Sequence, residues 1–197
     1  MVKTPKPRIA VGIIAQNADS KWAIRLGPGV YHNNQKSEFG IAHEFYISRY
    51  LNPSFDLRLN SNGGYESSGI DFQDAVLNLR YKFYNGYIFQ ETAAVQPYLF
   101  GGGGYMWDNR AEGFAWNAGL GFKFPISTNT SLFLEAGYKS GVEGTRAEVG
   151  SPNVSVVTTD DMLKLTGIVE FAFGKAKDTD GDGVPDKKDK CPDTPPG

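Results

Sequence analysis

The feature that most constrains this chain is an alternation of apolar and polar side chains with period two, sustained in eight runs between Trp22 and Gly174. The runs are Trp22 to Asn33, Phe39 to Leu51, Ser54 to Ser61, Phe72 to Tyr84, Val95 to Trp107, Phe114 to Phe124, Thr130 to Lys139 and Asp161 to Phe173. Successive side chains of a strand point to opposite faces, so this pattern is what a strand with two unlike sides produces. Most runs exceed the ~5–6 residues of a soluble strand and approach the ~9–11 that cross a bilayer at a tilt.

The two faces can be written out. In the fourth run Ala75, Leu77, Leu79, Tyr81 and Phe83 oppose Asp74, Asn78, Arg80 and Lys82. In the sixth, Phe114, Trp116, Leu120, Phe122 and Phe124 oppose Asn117 and Lys123; in the seventh, Leu132, Leu134, Ala136 and Tyr138 oppose Glu135 and Lys139. The eighth sets Leu163, Leu165, Val169, Phe171 and Phe173 against Lys164, Thr166 and Glu170. A soluble sandwich would turn the apolar face inward, a membrane barrel outward.

Aromatic placement favours the barrel. Trp22, Tyr31, Tyr81, Phe83, Trp107, Phe114, Trp116, Phe122, Phe124, Tyr138, Phe171 and Phe173 fall near strand ends, as interfacial girdles require. Small residues such as Gly102, Gly103, Ala118, Gly119 and Gly167 take the strand centres. No run of 18 apolar residues is present, which excludes a helical membrane protein and leaves a barrel open. With 20 Lys+Arg against 22 Asp+Glu, no nucleic-acid partner is indicated.

Connection lengths give a direction. Leu51 to Pro53 and Pro125 to Asn129 are short, whereas Asn62 to Asp71 and Ser140 to Asp160 are long, which matches short periplasmic turns and longer external loops. An even strand number then places both termini in the periplasm. Asn85-Gly86 is a hairpin signal, so Tyr87 to Phe89 either lengthen a strand or form a small periplasmic excursion. In such a barrel Arg25, Glu44, Asp56, Arg58, Asp74, Arg80, Lys82, Lys123, Glu135, Lys139, Lys164 and Glu170 line the interior. Eight strands leave room only for side chains, so these charges are expected to neutralise one another in a packed polar core rather than line an open channel.

After Gly174 the composition changes. Asp178, Asp180, Asp182, Asp186 and Asp189 occupy positions 1, 3, 5, 9 and 12 of a loop with Gly183 at 6 and the Val184 carbonyl at 7. That oxygen spacing suits Ca²⁺. Asp189 is shorter than the usual bidentate Glu, and Pro185, Pro192, Pro195 and Pro196 forbid flanking helices, so the expectation is an extended linker ordered by calcium with Kd of ~10⁻⁴ to 10⁻³ M.

At the other end, Lys3, Lys6 and Arg8 precede an apolar stretch from Ile9 to Ala15, which reads as a signal remnant or as a mature N-terminal segment, and in neither case as a membrane helix. The single cysteine, Cys191, suggests a partner outside this sequence. His32 and His43 lie on different strands without a nucleophile elbow or a metalloprotease helix, so no enzyme is expected.

The barrel pattern, the strand Pro97-Tyr-Leu-Phe-Gly-Gly-Gly-Gly-Tyr105 and the linker Asp-Thr-Asp-Gly-Asp-Gly-Val-Pro-Asp ending in Cys191-Pro-Asp-Thr-Pro resemble the outer-membrane protein A (OmpA) family in its Bacteroidetes form. The tail Asp178 to Asp193 is similar to a thrombospondin type 3 repeat, which implies calcium ligands at the five aspartates and a disulfide for Cys191. Family members usually continue into a periplasmic domain that grips peptidoglycan. No residue in this sequence corresponds to that domain, so the resemblance implies such anchoring for a longer protein.

The expected organisation is therefore an N-terminal segment at 1–21, an all-β, eight-stranded antiparallel transmembrane barrel at 22–174 and a short irregular calcium-binding periplasmic tail at 175–197. The expected role is a structural tether in the bacterial outer membrane, with outer-membrane lipid, peptidoglycan and other envelope proteins as partners. A narrow porin-like channel and a soluble lipocalin-like barrel are the alternatives.

Overall fold

The structure, a computed structural model, describes residues 16–18, 20–34, 38–66, 69–107, 112–127, 129–142, 144–147, 155–158 and 161–173. Its strands are β1 (Trp22–Asn33), β2 (Glu38–Tyr50), β3 (Phe55–Glu66), β4 (Gly69–Lys82), β5 (Gln96–Trp107), β6 (Glu112–Pro125), β7 (Thr130–Val142), β8 (Gly144–Ala147), β9 (Ser155–Thr158) and β10 (Asp161–Phe173). Eight of them close into a barrel in the order β1-β10-β7-β6-β5-β4-β3-β2, while β8 and β9 pair as a separate hairpin. Each barrel strand matches one of the eight periodic runs, and the antiparallel order follows the chain with β10 sealing against β1.

The register sets the shape. Stepping through paired residues from Trp22 leads to Arg49, Leu57, Leu79, Gly101, Ala118, Tyr138, Leu163 and then His32, ten positions up the starting strand. A stagger of that size tilts the strands by about 40°, and strands of this length then span about 30 Å, the thickness of a bilayer's hydrocarbon. Apolar side chains cover the outside: Leu26, Leu77, Leu99, Leu134 and Leu165 are each about half exposed. Backbone groups are paired around the whole circle, so no edge is left.

The structure departs from the sequence expectations at three places. Asn62 to Asp71 is no long loop, since β3 continues to Glu66, β4 starts at Gly69, and only 67–68 connect them. Asn62, Gly63 and Gly64 look like turn residues, but Asn62 Nδ2 donates to Asp74 Oδ1 inside the barrel at 2.8 Å. The two glycines lie under the rings of His43, Phe72 and Tyr31. Within Ser140 to Asp160, β7 extends to Val142 and the β8–β9 hairpin follows. Tyr31 belongs to no outer girdle: it is buried inside, edge-on to Phe72 with ring centroids 5.2 Å apart.

Asn85-Gly86 lengthens no strand. Asn85 Oδ1 accepts from the backbone N–H of Tyr87 and Ile88 at 3.0 and 3.3 Å, Gly86 takes φ +85°, and β5 starts only at Gln96. A compact turn results, so Tyr87 to Phe89 form an excursion from the barrel and not a longer strand. One close approach also explains part of the glycine run in β5. A Cβ on Gly102 or on Gly104 would lie 2.0 Å from the carbonyl oxygen of Leu77 or Ala75 on β4, so no larger residue fits.

Candidate functional site

The lumen is where the polar faces of eight strands meet. All twelve charged residues expected there do point inward. Eleven are buried, and Lys164 nearly so, with 9 % of its side chain exposed. Their inward parity follows from the pleat: on β4, for instance, Asp74, Asn78, Arg80 and Lys82 are buried while Leu77 and Leu79 face out.

Each of the seven cations has a carboxylate partner among five, with Asp56 and Glu170 each serving two. Arg25 bonds Glu170, Arg80 bonds Asp56, and Lys139 contacts Asp74. Lys82 Nζ donates to the other Asp56 oxygen at 2.6 Å and to the Asn52 carbonyl at 2.9 Å, while Lys164 Nζ lies 2.5 Å from Glu44 Oε1. Glu135 is the hub. Its Oε1 accepts from Arg58 Nη1 at 2.5 Å, from Tyr98 Oη at 2.7 Å and from Tyr46 Oη at 2.9 Å, so β3, β5 and β2 converge on a carboxylate of β7. Charges withdrawn from water are tolerated only with such compensation.

Between the charges lies a feature that the sequence reading did not identify. Arg58 sits 4.0 Å from the Phe100 centroid and 4.9 Å from that of Tyr46, and Arg25 sits 5.0 Å from Tyr46 and 4.2 Å from Phe133. Arg80 then stands 5.5 Å from Phe133 and 5.2 Å from Tyr98. Three guanidiniums thus alternate with four rings across the interior. Planar, weakly hydrated guanidinium stacks well on aromatic faces, which lysine would not do as well. The signal was available: Tyr46 shares the parity of Glu44, and Phe133 that of Glu135. A second buried layer, Tyr31, Ala42, Phe72, Met106, Ala115 and Met162, fills the end towards Asn33 and Trp107.

Gln16 is the other residue that sequence reasoning missed. Although it precedes β1, it is buried at the Trp22 end, where its Oε1 accepts from Arg25, Arg80 and Ser48. Gln16 and Ser20, ahead of β1, are therefore part of the barrel's packing.

The two histidines, His32 and His43, stand on different strands, β1 and β2. His32 Nδ1 lies 3.0 Å from Asn34 Oδ1, and His43 is exposed on the outer wall beside Tyr65. Among the described residues no group of three or more His, Cys, Asp or Glu could hold a metal. The expected calcium ligands Asp178, Asp180, Asp182, Val184, Asp186 and Asp189, and Cys191, lie outside the described residues.

A closed antiparallel barrel with an apolar outer wall and a charged, filled interior has the fold of a transmembrane β-barrel. No protein-family model matches the chain, and no curated protein does. Among solved structures the chain is similar to Neisserial surface protein A, with TM-score 0.60 and 11% identity over 80% of this chain and 100% of that one. It is similar to the outer membrane protein OprG from Pseudomonas aeruginosa, with TM-score 0.55 and 12% identity over 82% of this chain and 98% of the other. It is also similar to a major outer membrane protein from Thermus thermophilus, with TM-score 0.51 and 15% identity over 78% and 98%. At these identities the likeness is one of fold.

Proposed function

We propose that the chain is a structural barrel of a bacterial outer membrane, sealed along its axis, that holds a periplasmic region against the membrane and contributes to envelope integrity. The observation that carries the reading is the alternating stack Phe100–Arg58–Tyr46–Arg25–Phe133–Arg80–Tyr98, which fills the lumen where a channel would need water. An apolar outer wall speaks against a lipocalin-like soluble barrel, which would expose that wall to water. The solved barrels of similar fold carry outer-membrane names, which supports the location. The role needs no catalysis.

In this reading both chain ends face the periplasm, and the tail from Asp178 to Asp189 is a calcium-stiffened spacer. Peptidoglycan is the proposed partner, through a domain beyond these residues. The test of the barrel is refolding into lipid vesicles followed by a gel: a band that changes mobility on boiling supports it, and a folded monomer without detergent or lipid overturns it. For the spacer, calorimetric titration with CaCl₂ is expected to give binding at ~10⁻⁴ to 10⁻³ M that Asp180→Ala removes. No heat, or heat unchanged in that variant, overturns the calcium reading.

A narrow channel has one observation in its favour: both amide atoms of Asn60 and of Asn78, on the lumenal face, are buried without a hydrogen-bond partner. Groups of this kind are commonly satisfied by ordered water. Single-channel recording decides between the two readings.

A further inference from the structure

The geometry points to a small-anion site at the Trp22 end of the lumen, built by Arg25, Arg80 and Ser48, in which the side-chain carbonyl of Gln16 stands as a tethered occupant. Gln16 Oε1 accepts from Arg25 Nη2 at 3.3 Å, from Arg80 Nη2 at 3.2 Å and from Ser48 Oγ at 3.2 Å. Its Nε2 donates away from them, to the Lys21 carbonyl at 3.0 Å, and the residue is 5 % exposed. Three donors on one oxygen, two of them cationic, form a donor set suited to a halide or a carboxylate oxygen, for which charge-assisted bonds are roughly twice as strong as those to a neutral acceptor.

The charge inventory of this half of the barrel points the same way. Among the described residues, Arg25, Arg58, Arg80, Lys82 and Lys123 are buried there, with Asp56, Glu135 and Glu170 as the buried carboxylates. Arg80 Nη1, beside the nitrogen that holds Gln16, is buried without a partner, as are Arg58 Nε and Nη2. The other half balances, Lys139 with Asp74 and Lys164 with Glu44. Each of these cations has a carboxylate within reach, but Arg80 and Lys82 share Asp56, and Arg25 and Lys123 share Glu170. Burying more positive than negative charge is unfavourable, so the excess calls for an anion. Asp19, three residues after Gln16, is the carboxylate nearest to it in the sequence.

Gln16 therefore satisfies the donors without neutralising the charge. When it withdraws, the position it leaves is sized for chloride or for one oxygen of a formate-like carboxylate. Bulkier anions such as gluconate do not fit among neighbours this buried.

The test is thermal unfolding of the full refolded chain in micelles, read by the heat-sensitive gel mobility, at constant ionic strength in sodium gluconate, chloride or formate. In gluconate, Gln16→Ala is expected to melt about 2–4 °C below the parent, and chloride or formate to restore it. Recovery by one ion alone supports the site and identifies its preferred ligand. Gln16→Glu, which carries its own carboxylate at similar volume, is expected to melt above the parent and to respond to neither ion. It carries the test should Gln16→Ala fail to refold. An anion-independent Gln16→Ala, a Gln16→Glu that melts below the parent, or an anion response seen only after Asp19→Asn overturns the proposal.

Discussion

Arg58 on β3 and Glu135 on β7 stand on opposite walls of the barrel, four strands apart in either direction, and meet across the lumen with Nη1 2.5 Å from Oε1. A contact that joins opposite walls spans the interior, and in the sealed reading proposed above it is one of the barriers across the axis. Tyr46 and Tyr98 bond the same oxygen, so the crossing is held from four strands.

Removing one member of this crossing leaves the other buried and uncompensated. Glu135→Ala is expected to destabilise the barrel by about 3–5 kcal/mol, whereas Arg58→Met combined with Glu135→Leu restores most of that loss. Urea unfolding in lipid vesicles, followed by Trp fluorescence, measures both. A single variant as stable as the parent would show that the pair contributes nothing to stability.

Planar-bilayer recording is expected to show no steady conductance for the parent. Phe100→Ala with Phe133→Ala removes two rings of the stack and is expected to produce measurable, noisy openings. Steady conductance in the parent that disappears in Arg80→Ala or Lys82→Ala would instead establish a channel and displace the sealed reading.

The outer wall responds by depth. Leu77→Arg, near the middle of β4, is expected to cost about 2–4 kcal/mol in vesicles, and Phe114→Arg, near a rim, about 0–1 kcal/mol. Equal costs at the two depths would be inconsistent with a bilayer around the barrel.

Gly102→Ala places a methyl against the Leu77 carbonyl, and the strands must part to admit it. A loss of at least about 2 kcal/mol, or failure to refold, is expected. Gly101→Ala is the control, since the nearest atom to its Cβ would be 3.5 Å away, and it should refold normally.

Much of this architecture was readable from residue order because one physical rule governs it. Parity alone assigned Leu77 to the wall and Arg80 to the lumen, and it did so correctly for all twelve interior charges. It failed where a local signal competed with the ladder. Asn62-Gly-Gly resembles a turn, yet inside a barrel the asparagine finds Asp74 and the glycines make room for rings. Tyr31 sits near a strand end, where aromatic residues usually form a girdle, yet its parity with Arg25 puts it inside. The pairings were beyond reach of the sequence. Nothing local in Glu135 indicates that its donors come from residues 89 and 77 positions earlier. Gln16 escaped notice because it lies outside any periodic run.

The seam between β1 and β10 has a consequence for how such a chain assembles. Arg25 on β1 finds its carboxylate, Glu170, on β10, and Glu44 on β2 finds Lys164 on β10, across the intervening β1. Until the last strand arrives, Arg25 lacks its ion-pair partner and Glu44 its ammonium, and an open sheet pressed into hydrocarbon would carry both charges bare. Closure and membrane entry are thus coupled events, and the final strand serves as the latch that makes the polar interior admissible to the bilayer.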